Sequence, residues 1–422
     1  MMIEMGKKAR QASFILASLD ANKKNQVIGD IADRLEDSVD QLLDRNNVDV
    51  QGAGTRGLSQ SMIDRLTLTP ERILSIAADL RSVAALPDPV GEIFEKQVLP
   101  NGLKVQKQRI PIGVLGVIYE SRPNVTIDVA GLALKSGNAI ILRGGSETIH
   151  SNRALVQVIQ GALADQGLPP DSVQFIDDPD RARVAELLNL YEYIDLLIPR
   201  GGAALHRYCR ENSRIPVITG GIGICHLFLD ESADLEGALK VIYNAKVQRP
   251  TVCNALDTVL VHRNCAQFSI PKIIQELRKA QVGFRVDDTA FPYLNHLRDE
   301  PGLGDIQPAG PDDFDTEWLS LVMGIKVVDN LEQAIEHIRI HSTGHSDGIL
   351  TQNEANAEKF VALVNSAAVY VNASTRFTDG SQLGLGAEVA VSTQPLHARG
   401  PMGLRELTTY KWVIIGQNHI RP

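Results

Sequence analysis

Residues 113–147 read GVLGVIYESRPNVTIDVAGLALKSGNAIILRGGSE. Residues 114–119 form an apolar run of the length expected for a strand covered on both faces. Residues 125–134 continue as a helix, and 139–142 are a second short apolar run. A strand, a helix and a strand in succession make a crossover unit with parallel strands. The alternation continues downstream. A helix is expected from about 152 to 165, with strands at 173–176, 194–198 and 217–218 and helices near 182–190 and 203–212. A second block opens near Leu227. Its helices fall at about 233–245, 270–280, 331–340 and 353–364, and its strands at 258–261, 325–328 and 369–371. The predicted class is α/β, with two doubly wound parallel sheets.

The flanks differ from this pattern. Residues 9–45 read as two helices, with Val27, Ile31, Leu35, Val39 and Leu42 forming an apolar stripe. A further helical stretch runs from about 59 to 86 and stops at Pro87-Asp88-Pro89. Extended runs at 93–98 and 103–110 then flank Pro100-Asn101-Gly102, a strong hairpin signal. Their arms are rich in Lys and Gln, so the ribbon projects from the core and needs cover. Residues 410–415 read as a closing strand. At the start of the chain Lys7, Lys8 and Arg10 precede a short apolar run. Because Ala9, Ala12, Leu16 and Leu19 share one helical face, that segment reads as an amphipathic helix rather than a leader.

Composition narrows the function. The chain has 422 residues, 44% hydrophobic and 22% charged, with a formal net charge of -9. That length accommodates two or three domains, and the acidic balance argues against a nucleic-acid partner. No stretch approaches a membrane span. The four cysteines, Cys209, Cys225, Cys253 and Cys265, make no CxxC pair. This argues against a disulfide scaffold or a structural zinc site and for a reducing, cytoplasmic setting. His341 and His345 stand at helical spacing, but the residues around them read as loop, so no metal is expected.

Cys253 lies in Gln248-Arg249-Pro250-Thr251-Val252-Cys253-Asn254-Ala255-Leu256-Asp257-Thr258. It follows a Pro turn, precedes an apolar β-type run and has Arg249 as its nearest charge. A cation favours the thiolate, the nucleophilic form. A buried structural cysteine is the alternative. Arg143-Gly144-Gly145-Ser146 and Arg200-Gly201-Gly202 each follow a strand, where backbone N–H groups and a helix start can hold nucleotide phosphates. Two ordinary turns with solvated arginines would look the same. Asn124, at a helix start after Ser121-Arg122-Pro123, can donate to an oxyanion or simply cap the helix.

Taken together these segments resemble the gamma-glutamyl phosphate reductase (glutamate-5-semialdehyde dehydrogenase) branch of the aldehyde dehydrogenase superfamily. The carrying segments are 118–126, 142–147, 198–202, the Cys253 loop, 371–380 (Val371-Asn372-Ala373-Ser374-Thr375-Arg376-Phe377-Thr378-Asp379-Gly380) and 397–403 (His397-Ala398-Arg399-Gly400-Pro401-Met402-Gly403). They occur in the family's order along the whole chain. The resemblance implies an NADPH-binding domain (1–92 and 113–226), a catalytic domain (227–400) and an oligomerisation ribbon (93–112 and 401–422). It implies Cys253 as nucleophile, Asn124 as oxyanion donor and NADPH as cofactor. Glu317, in Thr316-Glu317-Trp318-Leu319, falls where the superfamily often holds the nicotinamide ribose, although the surrounding motif differs. Ser146 and Arg143 are candidates for the 2′-phosphate, which Glu147 would repel if it faced the same way. Arg122, Arg376 and Asp379 are candidates for the substrate's amino and carboxylate groups, or for structural ion pairs.

One position departs from the wider superfamily. Hydrolytic members carry a Glu two residues before a Gly-Gly pair upstream of the nucleophile, whereas here the pair is Gly220-Gly221 and that position holds Ile218. An aliphatic residue leaves water unactivated, as reduction of a thioester requires. The implied reaction is NADPH-dependent reduction of L-glutamyl 5-phosphate to L-glutamate 5-semialdehyde, the second step of proline biosynthesis. A hydrolytic aldehyde dehydrogenase and a non-catalytic partner-binding relative are the alternatives. A homo-oligomer through the ribbon is expected, as is a transient complex with a separate glutamate 5-kinase.

Overall fold

A computed structural model describes residues 1–220, 222–294 and 306–421. The chain forms two compact units. One comprises Met1–Thr219, Gly384–Ala390 and Met402–Pro422, and the other Gly220–Leu383 and Val391–Pro401. The division falls at 219/220, against 226/227 expected from the sequence, and the ribbon lies within the first unit.

The first unit begins with helices Met2–Leu16, Ala21–Asp37, Val39–Thr55, Gln60–Leu66 and Pro70–Ala85. Residues 9–45 thus belong to three helices rather than two. The stripe of Val27, Ile31 and Leu35 is buried as expected, but the helix stops at Ser38 before Val39. The stretch 59–86 is likewise two helices. Pro70 takes the first helical position and the Thr69 hydroxyl accepts from the Arg72 N–H at 3.2 Å, while Pro disfavours helix in the residue before it. That signal was present in the sequence.

The ribbon pairs Ile93–Val98 antiparallel with Lys104–Pro111, and the latter pairs with Thr408–Ile415. Gly102 turns the hairpin at φ +86°, with its N–H donating to Leu99 O at 2.8 Å. The third strand covers the polar arms. Lys107 Nζ lies 4.5 Å from the Tyr410 ring centre and 4.9 Å from that of Trp412, and Phe94 meets Tyr410 edge-on.

The sheet of this unit is parallel, in the order Val173–Phe175, Ala139–Arg143, Val114–Tyr119, Leu196–Arg200. All six residues of Val114–Tyr119 are buried, the signature of a strand covered on both faces. Val217 contributes only a single bridge, to Leu197, rather than a strand.

The second unit carries a seven-stranded parallel sheet among the described residues. Its order is Ile306–Pro308, Gly283–Val286, Val322–Val328, Leu256–His262, Cys225–Leu229, Ser346–Leu350, Ala368–Val371. Alternation divides its core. Leu227, Leu229, Val259 and Val261 pack with helices Leu235–Val247 and Arg263–Arg278. Phe228, Leu260 and Ile349 pack with helices Leu331–His341 and Glu354–Leu363. Helix Arg263–Arg278 begins well before the expected residue 270, so Pro271 lies inside it. Strands Gly283–Val286, Ile306–Pro308 and Ser346–Leu350 were not legible as strands. The last opens with Ser346 and Asp347, both fully buried, and Asp347 Oδ1 accepts from the His226 N–H at 2.9 Å.

Three imidazoles cluster within this unit, one pair edge-on and the other tilted. His337 lies 5.3 Å from His226 and 4.3 Å from His341, centre to centre, with Phe314 at 5.2 Å. Burial and the neighbouring imidazoles push His337 down to about 2. The unfolded chain, titrating near the ordinary value of 6.5, therefore binds the extra proton first, and stability falls as pH drops below about 6.5. We expect urea midpoints to decline through that range, and His337→Phe to flatten the slope by about one proton.

Candidate active site

Cys253 lies between helix Leu235–Val247 and strand Leu256–His262, half-buried at the amino end of that strand. Two sets of contacts fix the loop. On one side Asn254 is 5% exposed. Its Nδ2 donates to Thr378 O at 2.9 Å, its carbonyl accepts from Thr375 Oγ1 at 2.7 Å, and its Oδ1 takes the Arg376 guanidinium. On the other side the Cys253 carbonyl packs onto Gly223 so closely that a Cβ there would collide with it. The buried Cys225 thiol donates to the same carbonyl at 3.3 Å, and burial pushes that thiol well up. Cys225 is accordingly a structural thiol.

Charge gathers around the loop. Arg376 is half-buried, with Nε donating to Gln248 Oε1 at 3.1 Å. Desolvation and repulsion from Arg249 lower its proton affinity, whereas Asp379 and Cys253 support its charge. The converse holds: the Arg376 cation favours a Cys253 thiolate. Asp379 Oδ1 also accepts from the Ser381 N–H at 2.9 Å. Glu317 Oε1 accepts from the Gly223 N–H at 2.9 Å, which ties it to the loop from behind. Burial pushes its carboxyl up to about 7, with Gly223 N–H opposing and Asp257 adding to the rise. Cys253, Arg376, Asp379 and Glu317 are thus brought together in one unit.

The remaining candidates belong to the first unit. Asn124 opens helix Asn124–Lys135. It is not the cap: its Nδ2 donates to Asp128 Oδ2 at 2.9 Å, one turn along. Arg122 is exposed, and Ser121 takes a left-handed turn at φ +48°. Glu147 Oε1 accepts from both Ser121 N–H (2.8 Å) and Ser121 Oγ (2.7 Å). Gly144, Gly145 and the exposed Ser146 follow strand Ala139–Arg143. Arg143 turns inward, donating to the carbonyls of Gly144 and Pro179. Gly201 and Gly202 follow Arg200, and the Gly202 N–H donates to Glu120 Oε2 at 3.1 Å. Ile218 is 3% exposed, its N–H donating to Leu197 O at 2.9 Å; Gly221 lies outside the described residues.

These loops suit a dinucleotide. They sit at the carboxyl ends of parallel strands, the usual ligand edge of an open sheet. Exposed Ser146 offers a hydroxyl, while Glu147 is committed to Ser121. Asp128, Gly223 and Thr375 were not singled out from the sequence, although Asp128 stands at the readable i,i+4 spacing from Asn124.

Residues 2–296 match the model of the aldehyde dehydrogenase family. The chain belongs to that family. It is 54% identical over 421 residues to gamma-glutamyl phosphate reductase of Serratia proteamaculans, covering 100% of both chains. It is 56% identical over 410 residues to the protein of that name from Aeromonas salmonicida, covering 97% of each. The crystal structure of the Thermotoga maritima gamma-glutamyl phosphate reductase matches with TM-score 0.96 at 48% identity over 99% of each chain. An acetylating aldehyde dehydrogenase from Geobacillus thermoglucosidasius, 17% identical, shares the fold with TM-score 0.70 over 99% of this chain and 97% of its own. The chain is therefore an oxidoreductase of the gamma-glutamyl phosphate reductase branch, and membership implies a nicotinamide cofactor. Among the described residues no helix is long and apolar enough to cross a membrane, and no cluster of His, Cys, Asp or Glu could hold a metal.

Gly223→Ala should displace the Cys253 carbonyl, at a cost of about 1–3 kcal/mol in stability. Moving the thiol away from Arg376, whose charge it supports, should slow alkylation of Cys253 by iodoacetamide about tenfold. Unchanged melting and labelling would show that the close packing has no influence on the thiol.

Proposed function

We propose that the chain reduces L-glutamyl 5-phosphate to L-glutamate 5-semialdehyde with release of phosphate, the second step of proline biosynthesis. The observation that carries this reading is the half-buried Cys253 thiol on a doubly clamped loop, electrostatically coupled to Arg376, in a chain more than half identical to reductases of that name.

The Cys253 thiolate attacks the acyl carbon, the C–O bond to phosphate breaks, and phosphate leaves with the bonding electrons. Arg376 and Arg249 favour the thiolate and the departing dianion. The Cys253 backbone N–H holds the oxyanion, and the family resemblance implies the same role for Asn124 Nδ2. Bound NADPH supplies the hydride that takes the thioester to the aldehyde oxidation level. The resulting thiohemiacetal collapses: the C–S bond breaks, the thiolate is restored and the semialdehyde leaves to cyclise on its own amine. Ile218, in place of the hydrolytic Glu, leaves the thioester to the hydride rather than to water.

The first unit supports the cofactor-binding role. Gly144, Gly145, Gly201 and Gly202 would admit the phosphates close to the backbone. Ser146 would face the 2′-phosphate, and the inward-turned Arg143 would shape the loop around it. Glu317 would meet the nicotinamide ribose. Arg122 and Arg376 would take the substrate's carboxylate, with Asp379 supporting the Arg376 charge. The ribbon supports a homo-oligomer, since Thr408–Ile415 pairs on one side only and presents Tyr410, Trp412 and Ile414 to solvent. A labile acyl phosphate favours transient contact with glutamate 5-kinase.

Cys253→Ser should abolish nearly all phosphate-dependent reduction of NADP by glutamate semialdehyde, followed at the nicotinamide absorbance band, while leaving NADPH affinity intact. Full turnover in that variant would end the covalent mechanism. Trp412→Asp is expected to shift the sedimentation coefficient to that of a smaller assembly; no shift would remove the ribbon as the interface.

A further inference from the structure

Asp128 is a carboxylate that the chemistry above leaves unused. It lies on helix Asn124–Lys135 among buried apolar residues, Ile127 and Val129 on either side. Its one hydrogen bond to a side chain comes from Asn124 Nδ2 at 2.9 Å. Among the described residues no cation lies within ion-pair distance of it. Arg200, at the end of strand Leu196–Arg200, acts on it only from farther off, and Asp79 of helix Pro70–Ala85 repels it. Burial, with that repulsion, pushes its carboxyl up to about 6. An apolar residue would cost less at this position, so the retained, partly accessible anion points to a charge that arrives with a ligand.

The proposed substrate supplies that charge. Its α-ammonium lies a short carbon chain from the acyl group. The donor that holds the oxyanion and the anion that holds the ammonium must therefore be near neighbours, as Asn124 and Asp128 are. The Asn124 amide has two N–H groups: one is fixed on Asp128, which aims the other. We propose that Asp128 is the counter-ion of the substrate's α-ammonium and sets the preference for an amino-acid aldehyde over a plain one. This inference rests on the function proposed above.

The test runs the full chain in the phosphate-dependent direction with NADP. It uses either glutamate 5-semialdehyde or 5-oxopentanoate, the same carbon chain without the amino group. Wild-type kcat/KM should favour the amino-bearing aldehyde by about 100-fold. Asp128→Asn keeps an oxygen for Asn124, and should lower kcat/KM for that aldehyde about 100-fold, mainly through KM, while changing the value for 5-oxopentanoate by less than about threefold. Equal losses with both aldehydes would assign Asp128 to orienting Asn124 alone, and overturn the proposal. No loss with either would do the same. Should Asp128→Asn fold poorly, the wild-type comparison decides: a preference near unity for the amino-bearing aldehyde overturns the proposal. No phosphate-dependent turnover of either aldehyde by the wild type would remove the proposed function itself, whereas turnover without the split removes this inference alone.

Discussion

The Cys253 carbonyl meets Gly223 with no space for a side chain between them, and the second unit's chemistry is organised around that approach. Gly223 also gives its N–H to Glu317 at 2.9 Å, while Cys225, two residues on, gives its thiol proton to the same Cys253 carbonyl. The 375–378 turn closes the opposite side through Asn254. The backbone of Cys253 is therefore held from both sides by main-chain groups and short side chains. Such contacts leave little freedom to drift, which is what a reacting atom needs. Arg376 meets the loop at Asn254 and Gln248 and interacts with the thiol by charge.

Behind the loop lies a costlier feature. Lys246 and Asp257 form a buried pair at 3.6 Å, both almost wholly inaccessible. Desolvation lowers the proton affinity of the lysine and lifts the Asp257 carboxyl to about 6. Such a pair stabilises less than well-packed apolar residues would, but losing one partner strands the other. Asp257 also accepts from the Trp318 N–H at 3.2 Å, next to Glu317. The pair therefore fixes the segment that carries Glu317 relative to the strand that follows Cys253.

In the first unit carboxylates take the place that cations occupy in the second. Glu147 fixes the strained Ser121 turn, Glu120 meets the Gly202 N–H, and Asp128 aims Asn124. Each occupies donors at the end of a parallel strand, leaving Ser146 and the glycine backbone as the open face. Arg143 and Glu147, adjacent to the same loop in sequence, are both turned to protein partners. Sequence alone suggested a phosphate contact for Arg143 and repulsion by Glu147, because a glycine-rich loop reads as a phosphate cradle wherever its arginine points.

Spacing along the chain was enough to reveal the parallel sheets and the hairpin at Pro100-Asn101-Gly102. Each is written in a few consecutive residues, where apolar period, turn chemistry or motif acts locally. Short strands such as Gly283–Val286, and Ser346–Leu350 with its buried Ser and Asp, carry too little pattern of their own; they become strands because neighbours pair with them. The same holds for Gly223 against Cys253, Thr375 against Asn254 and Lys246 against Asp257. These pairings join residues far apart in sequence, so burial and partner geometry rather than local preference fixed the roles of the side chains around the thiol.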